Sequence, residues 1–90
     1  MKKIDLSKLQ IEMLDGSIKE YDFAKELAQV IFQNTQDIGE HAFSMELYKN
    51  PIVELTEDNK RIIKGYTDKY FKAFAQIAVN KLLNDENNKE

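Results

Sequence analysis

The chain contains no cysteine, one proline, three glycines, a single histidine and a single arginine among its 90 residues. Without cysteine there are no disulfides, no thiolate metal site and no thiol nucleophile, and the composition suits a reducing cytoplasm. The glycines stand apart at 16, 39 and 65, so no glycine-rich loop exists to cradle a phosphate. No apolar run approaches the roughly 20 residues that span a bilayer. Met1-Lys2-Lys3 is not followed by the apolar stretch of a secretory signal. The expectation is a cytoplasmic protein with no membrane partner.

What is present is ordinary globular composition, 42% hydrophobic and 32% charged. A domain of this length buries roughly 60–65% of the surface its unfolded chain exposes, so the core is small. One domain over residues 1–83 is expected, followed by a polar tail at 84–90 that frays.

The clearest local pattern is a β-hairpin. Leu9, Ile11 and Met13 alternate with Gln10 and Glu12, Asp15-Gly16 favours a two-residue turn, and the strand returns over Ile18 to Tyr21. That turn would set Met13 opposite Ile18 and Glu12 opposite Lys19.

The remainder reads as helix. Asp22 is placed to cap a first helix, about Phe23 to Gln33, whose stripe is Phe23, Leu27, Val30 and Ile31, widened by Ala24 and Ala28. Asp37 and Glu40 have capping-box spacing for a second helix ending near Lys49, before Pro51. Its core face would be Ile38, Ala42 and Met45, with either Phe43 or Leu47 and Tyr48. Residues 52–55 read as a buried connector in preference to a strand. Thr56 caps a third helix, about Glu57 to Lys64, and Gly65 predicts a break before a fourth, Asp68 to about Leu83, with one long helix over 57–83 as the alternative. The fold class is α+β and mostly helical, an N-terminal hairpin packed on three or four helices.

Conventional sites are poorly supplied. His41 has Asp37 one turn away and Glu40 beside it, too few ligands for a metal centre. None of Ser7, Ser17 and Ser44 sits in a nucleophile elbow, and the acid pairs fall at helix starts, where capping explains them. No catalytic, metal or cofactor site and no small-molecule substrate is expected.

Two surfaces remain. Lys60, Arg61, Lys64, Lys69, Lys72 and Lys81 face only Asp68 between residues 60 and 81, an excess of five positive charges that leaves −8 on the rest of a chain of net charge −3. Lys60, Arg61, Lys64, Lys69 and Lys72 are the anion-binding candidates for a nucleic-acid partner. A lone arginine and the alternative of a solvated basic face weigh against it. The last helix carries more apolar residues than one face needs. Tyr70, Phe71, Phe74, Ile77 and Leu82 are therefore the candidate interface, for a second copy or another protein.

The order of a hairpin with Asp15-Gly16, a helix with Leu27-Ala28-Gln29-Val30-Ile31, the stretch Ala42 to Leu47-Tyr48, then Val53-Glu54-Leu55-Thr56, Ile62-Ile63 and an apolar last helix resembles small proteins encoded by bacteriophages and prophages. The resemblance covers residues 9–83. It implies an accessory or assembly role, with no catalytic residues to carry over.

Overall fold

The structure, a computed structural model, describes residues 3–88 of the chain, with side chains as far as residue 84. Strand β1, Lys3–Asp5, pairs antiparallel with β4, Ile52–Glu54. Ile4 opposite Val53 supplies the apolar pair and Lys3 opposite Glu54 the charged one. Residues 52–54 are thus a strand and not the connector that their length and position predict. Its partner is a three-residue segment too short to read as a strand before pairing.

Asp5 ends β1 by turning the chain. Its Oδ1 accepts from the Ser7 amide at 3.0 Å and the Ser7 hydroxyl at 2.6 Å, which starts a single 3₁₀ turn, Leu6–Lys8. That turn buries Leu6 and delivers Leu9 to the core at the start of β2, Leu9–Glu12. Along β2, Leu9 and Ile11 face inward while Gln10 and Glu12 face water.

The hairpin between β2 and β3, Ile18–Tyr21, is present, but its register differs by one residue from the sequence expectation. Ile11 pairs with Lys19 and Glu12 with Ile18. The loop is Leu14-Asp15-Gly16, closed by the Gly16 amide on the Met13 carbonyl at 3.0 Å and the Met13 amide on the Ser17 carbonyl at 2.8 Å. A two-residue turn at Asp15-Gly16 would need positive φ at both positions. The three-residue loop needs it only at Gly16, where φ is +87°, and no other described residue adopts positive φ.

Helix α1, Ala24–Asn34, starts after Phe23 without a side-chain cap, so Asp22 does not fill the capping role its position predicts. Ala24, Leu27, Ala28 and Ile31 are buried along it, and Val30 is half-buried. Helix α2, Ile38–Lys49, is capped by Asp37, whose Oδ1 accepts from the Glu40 amide at 3.0 Å. The box is not reciprocal. Thr35 Oγ1 takes the Asp37 amide at 3.0 Å, and the Glu40 carboxylate turns to Thr35 and Tyr66, each donating at 2.7 Å.

That turn of Glu40 toward Tyr66 sets the phase of α2. Phe43, Ser44 and Leu47 face inward, whereas the expected core residues Ile38, Ala42 and Met45 are exposed. Ser44 tolerates burial because its hydroxyl donates to the His41 carbonyl at 2.6 Å within the same helix.

Helix α3, Glu57–Tyr70, begins at Thr56, whose Oγ1 accepts from the Asn59 amide at 3.1 Å. It runs straight through Gly65. The break comes at Phe71, which is extended, and α4 follows over Ala73–Asn88. Gln76 holds the corner, its Nε2 donating to the Phe71 carbonyl at 2.8 Å and the Asp68 carbonyl at 3.2 Å. Those two carbonyls belong to the end of α3, where helical partners run out. α4 also extends through 84–88, where composition predicts a frayed tail; residues 89–90 lie outside the described residues.

The result is an α+β, mostly helical fold. α1 packs on α2 and α3, while α4 packs on α3 and across β2. Leu6, Leu9, Phe23, Leu27, Ile31 and Ile63 form the centre of the core, joined by Leu47 and Val79. Among the described residues no helix is long and apolar enough to cross a membrane.

Candidate interaction site

The break at Phe71 produces a concave surface. Because α3 stops there and α4 leaves across β2, a cleft of about 380 Å³ opens between the hairpin and the α3–α4 corner. Buried Phe23 and half-buried Phe71 belong to its floor, and Met13, Tyr21, Tyr70 and Phe74 stand around it with their apolar surfaces partly in water. Tyr70 is in turn backed by Tyr66, the rings stacked at 5.8 Å, with Lys69 Nζ 5.5 Å over the Tyr70 ring.

Positive charge outnumbers negative at the cleft. Lys19 and Lys72 line it and make no ion pair among the described residues. The one acid, Glu26, accepts a hydrogen bond from the Tyr21 hydroxyl. That bond, with some burial and the nearby negative charge of Glu26 and Asp22, pushes the Tyr21 pKa up to about 12. The protonated phenol thus keeps the Glu26 carboxylate occupied. An apolar slot with two uncommitted cations is suited to gripping an aliphatic or aromatic anchor flanked by negative charge.

The five interface candidates divide. Tyr70, Phe74 and Ile77 are 41%, 55% and 67% exposed, and Phe74 and Ile77 lie one turn apart on α4. Phe71 and Leu82 instead pack against the core. Of the exposed hairpin residues, Met13 and Tyr21 line the cleft, whereas Ile18 stands directly opposite water-facing Glu12, so Met13 and Ile18 are not the facing apolar pair that period-2 reasoning assigns. The one-residue shift in register places the two on opposite faces of the hairpin.

Three of the six cations of the basic segment are paired where they stand. Lys60 lies 3.9 Å from Glu57, Arg61 3.2 Å from Asp58 and Lys64 2.7 Å from Asp68, all within α3. Only Lys69 and Lys72 of the five anion-binding candidates make no ion pair among the described residues; Lys72 lines the cleft, while Lys69 lies over the Tyr70 ring and borders a separate hollow with Arg61. His41 stacks against Phe32 at 5.0 Å, and no group of three or more potential metal ligands occurs among the described residues.

A second groove of about 300 Å³ runs between α1 and α2, where Phe32, Met45 and Tyr48 border Ala28 and Ser44. It lacks the pair of uncommitted cations that marks the cleft.

No protein-family model, no curated protein and no solved structure matches this chain.

Proposed function

We propose that this chain is a non-catalytic, cytoplasmic protein-interaction module that pairs with a second copy of itself through the α3–α4 corner and the start of α4. The observation that supports this reading is the exposure of Tyr70, Phe74 and Ile77 beside an aromatic cleft whose lysines make no ion pair among the described residues. Apolar area of this kind on a small domain is a usual location for an interface, with aromatic and methionine side chains at its centre. The resemblance to phage and prophage proteins makes accessory or assembly work the setting for such a module. Nucleic-acid binding is less favoured, because three of its five candidate cations are already paired on their own helix.

Light scattering across a dilution series tests the reading. The wild type should be a dimer, and Phe74→Glu a folded monomer, since it puts a charge on an exposed interface position. A wild type that remains monomeric at tens of micromolar overturns the proposal. In that case, retention on heparin that falls steeply with salt would favour the basic residues instead.

A further inference from the structure

We infer that the hairpin tip, Glu12 to Asp15 with Leu14 at its apex, fills the cleft of a second copy, so that two chains exchange tips across a two-fold axis. The inference rests on the self-association proposed above and names the segment that carries it. Leu14 is 108% exposed, an aliphatic side chain with essentially no cover from its own chain. Glu12 and Asp15 flank it, which makes the tip an apolar knob between two carboxylates. The cleft is the complement, apolar inside and carrying Lys19 and Lys72 outside any ion pair among the described residues, while its one acid, Glu26, is taken up by the Tyr21 hydroxyl. Knob and slot match in both polarity and charge.

Position favours exchange. Met13 and Lys19 line both the cleft and the hollow beneath the tip, so the two features adjoin on one surface. A two-fold axis beside them sends each Leu14 into the other chain's slot, the self-complementary arrangement of an isologous dimer. The tip is also pre-formed. Asp15 Oδ1 holds the Ser17 amide at 3.0 Å and its hydroxyl at 2.7 Å, so little ordering cost remains for docking.

Pairing of the β3 edges is the competing way to join two hairpins. A two-fold antiparallel pairing of β3 with itself centres on a single residue, and the two central ones are Lys19 and Glu20. Either choice sets like charges opposite each other, which the edge resists. Side-chain docking of the tip meets no such repulsion.

The test is dimer dissociation measured by light scattering on full-length variants, with circular dichroism as the check on folding. Leu14→Asp should raise the dimer dissociation constant at least tenfold without changing the spectrum, because the replaced side chain touches nothing in its own chain. Lys72→Glu should weaken the dimer as well, and Leu14→Met should keep it. A dimer that Phe74→Glu dissociates but Leu14→Asp leaves at wild-type strength overturns tip exchange while self-association stands. A monomeric wild type overturns both. The absence of native cysteine allows a photo-crosslinker to be placed at Leu14→Cys alone. Crosslinks should map to the partner's Tyr70–Phe74 segment, and capture confined to other segments overturns the inference.

Discussion

The rings of Phe23 and Phe71 lie 4.7 Å apart with their planes tilted by 60°. This aromatic pair ties the start of α1 to the corner between α3 and α4, and it accounts for the corner's position: α3 ends where Phe71 must leave the helical path to reach Phe23. Phe71 and Phe74, three residues apart, therefore have opposite roles. Phe71→Glu should unfold the domain by burying a charge against Phe23, whereas Phe74→Glu should leave urea-unfolding stability within about 0.5 kcal/mol of wild type when variant and wild type are both diluted to monomers. Similar losses from both would show that Phe74 belongs to the core.

Two glycine replacements should have opposite signs. Gly16 has φ +87° in the hairpin loop, so Gly16→Ala should cost about 1 kcal/mol although nothing stands within 4 Å of the added methyl. Gly65 sits inside α3 with the same open space and ordinary helical φ, so Gly65→Ala should stabilise by about 1 kcal/mol. Chemical denaturation of both variants reads the difference directly.

Alkaline pH should weaken the fold through its tyrosines. Folded Tyr21 holds its proton to about 12, while an unfolded tyrosine releases it near 10. Between those values the unfolded chain binds fewer protons, so the stabilisation, complete below pH 10, is lost as pH rises toward 12. Tyr66 acts in the same direction, its pKa raised first by burial and then by the bond it donates to Glu40. Tyr21→Phe should flatten the alkaline limb of a stability–pH curve, and an unchanged limb would remove Tyr21 from this role.

Thr67 is fully buried on α3, and its hydroxyl has no hydrogen-bond partner among the described residues. Thr67→Val keeps the shape and removes the unpaired oxygen, and should raise stability by about 1 kcal/mol in thermal or urea unfolding. A loss would indicate that the hydroxyl is bonded in solution.

Local signals in the chain were sound at several points and failed at others, among them the Asp22 cap and the two-residue turn at Asp15-Gly16. The hairpin, the caps at Asp37 and Thr56 and the burial of Leu27 and Ile31 follow from turn, cap and period arguments. Features set by distant partners were not legible. Lys3–Asp5 becomes a strand only because Ile52–Glu54 lies beside it. The phase of α2 depends on Glu40 reaching Tyr66, since apolar residues occur on every side of that helix. The α3–α4 break follows Phe71's contact with Phe23 and Gln76's hold on two carbonyls, and both override the weak local preference at Gly65. For the same reason the sequence marked Tyr70, Phe74 and Ile77 as surplus apolar residues but could not join them to Tyr21 and Lys19 across the cleft.

The pairing of β1 with β4 encloses the hairpin, α1 and α2 in one long loop. Closing such a loop costs chain entropy that only the finished core repays, so this strap should form on the native side of the folding barrier. Val53→Ala should then speed unfolding and leave the refolding rate nearly unchanged, a split that stopped-flow chevron arms would resolve. The two short strands would act as a latch on an already assembled body, governing how long the native state lasts more than how quickly it is reached.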